Sequence, residues 1–513
     1  MNPPEIATYE VNYGTELFVD DVLIAERFGV TRNLHPATKL DAPVIIPEPG
    51  KPWEYNGSDK TKRVYLLGTT IYDKQVDTYR MWYMARMDAN HGHRIPGLYV
   101  PRTGAGESTR YDGRRRDNDG RYFAGSDIGD LLCYAESDDG LHWTKPDLGV
   151  FAFDDSPNNN IVWDLHGASV FIDNQAQEPE KRYKAIGFCR RYRNIFLITS
   201  PDGIHWSDAG STHPVIERAN EGPTNVVYDE KTERYLAYML VNRGNERRHI
   251  EYSESKSLNG KWTGPTTILE PNREDDTIGQ TRHGAIRAEY YNMSGFPYGG
   301  IYIGILSVLY VTADIAKPLT GQAGVDGPID AQLVYSRDGV TWHHFEDRSP
   351  IIPRGDVGSF DSGMIIFTAK EPLVKDNGMY WYYTGSTETH GGLLKDKVMS
   401  IGRASWRLDG FVSLDADANG GTVETVPLRI PDGRLEVNVD ATQGSLAVEV
   451  LFPDGRIQPG FSAKTCSPIR GDHLHHPVNW TQIDLTQAQQ PLRLRFSLRQ
   501  AKLYSFRIVE SRL

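Results

Sequence analysis

Short apolar runs with partial alternation, four to ten residues long, recur along most of this chain and are separated by turn residues. RYKAIGFC (182–189) is followed by NIFLITSPDGIHW (194–206). TYRMWYMARM (78–87) precedes LLCYAESDDGLHW (131–143), and YIGILSVLYV (302–311) precedes QLVYSRDGVTW (332–342). Weaker copies end at SESKSLNGKW (253–262) and MSIGRASWRLDGFVS (399–413). Ahead of each pair lies one more β-rich run: TTIYDK (69–74), ASVFIDN (168–174), TNVVYDE (224–230), RAEYYN (287–292) and GMIIFTA (363–369). Period-two patterning bounded by turn residues predicts strands, not helices. The unit is strand A, strand B, strand C, a turn, and a short strand D that carries Trp. Five such four-stranded units in tandem predict a five-bladed β-propeller.

The repeated SxDGxxW turn reads as frame. Its Asp can accept backbone N–H bonds within the turn, its Gly supplies a positive φ, and its Trp wedges towards the neighbouring blade. From about residue 424 the text changes. GRLEVNVDA, GSLAVEVLFPDGR, QPLRLRFSLRQ and LYSFRIVE alternate apolar and polar residues strictly, which predicts a small antiparallel β-sandwich. The expected organisation is all-β: a propeller over 1–423, then a sandwich over 424–513.

Composition narrows function more than fold. The 513 residues carry a net charge of −12, which argues against nucleic acid as a partner. No apolar run is long enough to span a membrane. Three widely spaced cysteines, Cys133, Cys189 and Cys466, match no zinc or redox motif and read as buried thiols. GDHLHHP (471–477) lacks a second ligand cluster and reads as a surface loop, so no metal and no cofactor are expected. Aromatics at 11% suit strands and equally suit stacking on sugar faces. The opening MNPPEIATYEVNYGTELFVDD lacks a secretory pattern; a secreted or periplasmic protein with its signal removed is set slightly ahead of a cytoplasmic one. An oligomer is compatible with all of this.

In a propeller the A strands line the channel, and the D-to-A and B-to-C connections share one face. SxDGxxW marks the opposite face. Counting back about eight or nine residues from the anchors Asp73, Asp173, Asp229 and Asn292 gives a column containing Asp164 in WDLHG and Glu221 in EGPTN, joined by Asp361 in SFDSG. Blade one has Tyr65 there, with Glu54 and Asp59 upstream; blade four has Arg282 and His283. Carboxylates gathered round a narrow channel split their pKa values, as glycoside hydrolysis requires. Structural capping or pairing with arginine is the competing reading for each acid. CRRYRN (189–194), NRGNERRH (242–249) and the long insert at 106–123 bring arginines to the same face, with Arg190 and Arg247 the candidates for an anionic sugar. His166 and His390 are candidates for sugar hydroxyls.

LFVDDVLI, NLHPATK, PWE, the SxDGxxW turns, FDSGMI and RLDGFVSL together resemble bacterial proteins grouped with the N-terminal domain of glycoside hydrolase family 32, over most of residues 15–513. Families 32, 43, 62, 68 and 130 share that superfamily. The resemblance implies working acids from blades one, two and three, acting as base or nucleophile, modulator and general acid. By position these are Glu54 or Asp59, Asp164 and Glu221. Asn-Asp-Pro and Arg-Asp-Pro, the marks of family 32, are absent, which argues against a fructosidase. The expectation is a glycoside hydrolase, exo-acting, on a furanosidic or anionic (uronate or sulfated) sugar of an oligosaccharide or polysaccharide. Glu221 is expected as general acid, Glu54 or Asp361 as base or nucleophile, and Asp164 as modulator. The alternatives are a non-catalytic glycan-binding propeller, a phosphorylase or a polysaccharide lyase.

Overall fold

A computed structural model describes residues 8–56, 61–87, 129–174, 176–189, 194–208, 214–216, 224–242, 247–319 and 322–510. Five antiparallel blades follow in order. Blade one pairs Val64–Asp73, Thr78–Met87, Gly129–Ser137 and Ile161–Trp163 as strands A to D. Blade two pairs His166–Ile172, Tyr183–Cys189, Asn194–Ser200 and Ser207–Asp208. Blade three pairs Thr224–Asp229, Arg234–Val241, His249–Ser255 and Thr266–Leu269. Blade four pairs Arg287–Tyr298, Ile301–Val311 and Ile329–Ser336, with Trp342–His344 and Pro350–Ile352 as its outer edge. Blade five pairs Met364–Thr368, Gly378–Ser386 and Met399–Arg407, and its fourth strand is Thr38–Lys39 from the other end of the chain. The ring is therefore closed by its N-terminal segment.

The SxDGxxW turns hold this ring together. In each, the Asp carboxylate accepts two backbone N–H bonds: from Leu141 and His142 at 2.7 and 2.8 Å, from Ile204 and His205 at 2.8 Å each, and from Val340 and Thr341 at 2.8 and 2.6 Å. These bonds hold Asp139, Asp202 and Asp338 below the usual carboxylate range. Gly203 has φ +77°, and an added Cβ would lie 2.7 Å from the Trp82 ring, so the position demands glycine twice over. The glycine carbonyls then accept a bond from the preceding blade: Gly203 from Trp82 Nε1 at 2.7 Å, Gly140 from the Tyr382 hydroxyl at 2.6 Å, and Gly339 from the Tyr238 hydroxyl at 3.0 Å. The Trp of each turn packs edge-on against the same donor, with centroids 6.5, 5.6 and 5.4 Å apart. The motif is an inter-blade staple.

The C-terminal strands form the antiparallel β unit expected, but its boundary differs from the expected 423/424. One nine-stranded sheet combines Arg434–Leu451, Ile469–Pro477, Arg493–Arg499 and Ala501–Val509 with Val412–Ala416 and Gly421–Thr425. It also takes in Gly14–Leu17, Ile24–Phe28 and Thr31–Leu34. The N-terminal segment joins because residues beside its strands, Phe18 and Leu23, lie in the same buried core as Phe496 and Phe506. Cys133, Cys189 and Cys466 are buried and take part in no disulfide. Among the described residues no group of histidines, cysteines and acids could hold a metal, and no helix is long and apolar enough to cross a membrane.

Candidate functional site

Where the A strands begin and the B strands end, the channel widens into a cavity of ≈ 420 Å³ to which all five blades contribute. Blade one supplies Arg63, Tyr65, Met84 and Arg86; blade two, His166; blade three, Leu240, Asn242 and Arg248; blade four, Tyr291 and residues 322–324; blade five, Phe367, His390, Lys397 and Met399 among others. This is the face opposite the SxDGxxW turns, as the strand order requires. The size is that of a small-molecule site, not of a packing defect.

Two B-to-C connections build one wall of the cavity. The blade-five connection docks on that of blade four: His390 N donates to Gly327 O at 2.9 Å, and the Asp326 carboxylate accepts from Thr389 Oγ1 at 2.6 Å and Gly391 N at 2.8 Å. His390 Nδ1 lies 3.0 Å from the Val325 carbonyl, so it carries the proton; Nε2 then accepts from the Tyr291 hydroxyl at 3.0 Å. Burial, with Arg248 nearby, pushes the His390 pKa down to about 3, so the ring stays neutral and serves to fix Tyr291. Arg248 pairs with Glu289 and lies over the Tyr291 ring, 5.2 Å from its centroid.

The residues expected from sequence fall into three groups. His166 and His390 line the cavity, and half-buried Asp164 precedes His166 by two residues. Glu221, Arg190 and Asp59 lie outside the described residues. The remainder are not brought to the cavity. Glu54 is fully buried, accepting from Lys145 Nζ at 2.6 Å and the Tyr83 hydroxyl at 2.5 Å; burial raises its pKa against the pull of Lys145. Asp361, 1% exposed, accepts from Lys39 Nζ at 2.6 Å and the Tyr383 hydroxyl at 2.8 Å, tying blade five to the closing strand. Arg282 donates to the carbonyls of Arg348 and Asp347 at 2.9 and 2.8 Å. His283 lies 2.9 Å from Asp330 and packs on Tyr310. Arg247 pairs with Asp276 at 2.9 Å and lines a separate hollow of ≈ 210 Å³ with His249. The partners named for each of these side chains belong to the frame.

The sequence reasoning missed Arg63, Arg86, Arg248 and Lys397. Arg248 was within reach, since alternation along 247–249 sends Arg247 and His249 to the outer hollow and Arg248 to the cavity.

No protein-family model and no curated protein matches the chain. Solved structures with a similar outline include an α-L-arabinofuranosidase from Podospora anserina in complex with cellotriose, at 12% identity and TM-score 0.40, covering 73% of this chain and 98% of that one. A β-fructofuranosidase from Bombyx mori follows at 9% identity and TM-score 0.38, covering 86% and 90%. A thermostable family-43 glycoside hydrolase has 12% identity and TM-score 0.38, covering 66% and 90%. Likeness at this level does not reach activity.

Proposed function

We propose that this protein is a glycoside hydrolase that takes the end of a glycan chain into the mouth cavity. The observation that carries the reading is the cavity itself: one polar and aromatic hollow at the channel mouth, fed by all five blades. Tyr65, Tyr291 and Phe367 are the aromatic side chains of the lining, and Asn242 brings an amide that suits sugar hydroxyls. The wall made by the blade-four and blade-five connections favours attack at a chain end over binding along a chain.

Hydrolysis needs one carboxylic acid to protonate the glycosidic oxygen and one carboxylate to attack the sugar or activate water. Glu54 and Asp361 are held by Lys145 and Lys39 in the frame, so the acid pair is assigned to Asp164 and Glu221, from blades two and three, with Glu221 as general acid. Purified protein is incubated with a glycan panel and the products are read by mass. Asp164→Asn and Glu221→Gln should each lower turnover by about a hundredfold or more while the protein stays folded. Full activity in both variants refutes the assignment.

One observation favours a second reading, a glycan-binding propeller without hydrolysis: among the described residues that line the cavity, none is Asp or Glu. Binding without product release on the same panel would support it. An unsaturated product absorbing in the ultraviolet would indicate a lyase, and a requirement for phosphate a phosphorylase.

A further inference from the structure

We infer that the smaller hollow on blade three is a second sugar subsite, which holds an uncharged unit of the glycan whose end enters the mouth cavity. The inference rests on the reading of that cavity as a glycan site and adds a second point of contact to it.

At ≈ 210 Å³ the hollow has half the volume of the mouth cavity, and Arg247, His249, Glu270 and Pro271 line it among the described residues. Strand pairing builds it. Ile250 opposes Leu269 where the C and D strands of blade three meet, so His249 and Glu270 lie side by side at the end of that ladder. Arg248, between Arg247 and His249, lines the mouth cavity instead. Cavity and hollow therefore flank one strip of backbone, and a chain leaving the mouth over blade three crosses it. His249 is the strongest mark of a site. It is 4% exposed, and its Nδ1 lies 3.0 Å from the Arg247 carbonyl, which can only accept. Nδ1 thus holds the proton of the neutral ring and Nε2 keeps a lone pair. Nε2 is buried with no hydrogen-bond partner among the described residues, a condition that calls for a donor.

The other groups set the class of ligand. Glu270 is exposed and adds the lone pairs of a carboxylate. Arg247 commits Nη1 to both oxygens of Asp276, at 2.9 Å each, which leaves its Nε and Nη2 protons for a ligand. An anion would face Glu270 and the Nε2 lone pair, and an ammonium would face Arg247. A hydroxyl suits all three, because it donates to the first two and accepts from the third. The adjoining helix, Arg273–His283, adds no anion site, since the Asn272 side chain already accepts from the Glu274 and Asp275 amides. Pro271 supplies an apolar ring for the C–H face of a sugar. Neighbouring hydroxyls on a ring with an apolar face are the chemistry of a neutral monosaccharide unit.

The test is the dependence of binding on chain length, read by calorimetry on the full chain. Xylo-, arabino-, galacto- and cello-oligosaccharides of increasing length are each compared with the methyl glycoside of their end unit. Expected is that, in a series that binds, affinity rises about tenfold at the length that reaches the hollow and is flat beyond it. Glu270→Ala and Arg247→Met, both at exposed positions, should each cut the ratio of long-chain to short-chain affinity to about threefold or less, and His249→Phe should abolish the rise. A general loss of fold lowers both affinities together and leaves the ratio alone. A rise that all three variants leave intact overturns the inference, and so does binding of methyl glycosides with no rise at any length; in both cases the reading of the mouth cavity stands. Failure of every sugar to bind overturns both.

Discussion

Lys397 lines the cavity, so an anionic ligand that needs its ammonium must bind with proton uptake. Burial, reinforced by the Arg63 guanidinium, lowers the Lys397 pKa from an ordinary 10.5 to about 8. The groups acting on it are Arg63, Asp326, Glu388 and the His390 carbonyl. Arg63 stays charged throughout. Asp326 is held below the usual carboxylate range by Thr389 and the Gly391 and Gly327 amides, despite its burial. Lys397 is thus the group of this set poised to titrate between about pH 7 and 9. At pH 8 it is half charged, so a ligand that needs the ammonium takes up about half a proton per binding event, falling to almost none at about pH 6. Affinity should be flat below about pH 7 and fall up to tenfold per unit above about pH 8. The sign for stability is the opposite of that for a lysine that has gained a partner. A lowered pKa penalises the charged form, so the penalty is full below pH 8 and fades as pH rises towards 10.5, with roughly 3 kcal/mol as its upper bound. Calorimetry of uronate binding at pH 8, repeated in buffers of different ionisation enthalpy, reads the proton number as a slope. A zero slope in the native protein, or an undiminished slope in Lys397→Met, refutes the reasoning.

Three further outcomes follow from the frame. Tyr382→Phe strips the Gly140 carbonyl of its inter-blade donor and should cost about 1–3 kcal/mol in chemical denaturation, whereas Tyr238→Phe should cost under about 1 kcal/mol. The difference arises because Trp342 Nε1 also donates to the Gly339 carbonyl, at 3.0 Å; equal losses would break the staple argument. Lys145→Met leaves the Glu54 charge buried without its counter-ion, for a loss of about 3–5 kcal/mol that Glu54→Gln in the same chain should largely restore. A neutral single variant in thermal melting would show that the pair is not what secures that corner. Burial at the interface between sheet and propeller raises the Glu16 pKa to about 7, so its charge destabilises the fold progressively from about pH 4.5 and fully above 7. Glu16→Gln should therefore stabilise at about pH 8, by at most roughly 3 kcal/mol, and do nothing at about pH 4; a gain of the same size at both would refute the assignment.

The blades were legible because the information that defines them is local. A serine, an aspartate, a glycine and a tryptophan within seven residues fix a turn, and the apolar runs on either side fix the strands. The channel face was legible in part, with His166 and His390 in the cavity lining and Asp361 outside it, and the bulges explain the shortfall. The A strands slip register between Tyr65 and Thr69, His166 and Ser169, Tyr290 and Asn292, and Ile365 and Phe367. Counting upstream across such an irregularity loses the alternation that decides which side chain faces the channel. The acid column was built by that count, and Asp361 went into the body of blade five. Arg63 and Lys397 stand in turn-like text with no motif, and only closure of the ring brings them together. The misplaced domain boundary has a similar origin: Gly14–Leu17 pairs with Ala501–Val509, and nothing local announces a partner at that distance.

That pairing also sets an order of events in the making of the molecule. On a ribosome the segment over 14–39 emerges before the blades, yet its partners, blade five and the strand Ala501–Val509, emerge well after it. The intervening blades can form as they appear, but the ring stays open and the strands over 14–39 stay unpaired until blade five and the strand Ala501–Val509 have been made. For that interval the nascent chain displays exposed strand edges, the surfaces most prone to pair with a stranger. Slow release or premature termination should therefore tell first on solubility, before any effect on the cavity could be measured.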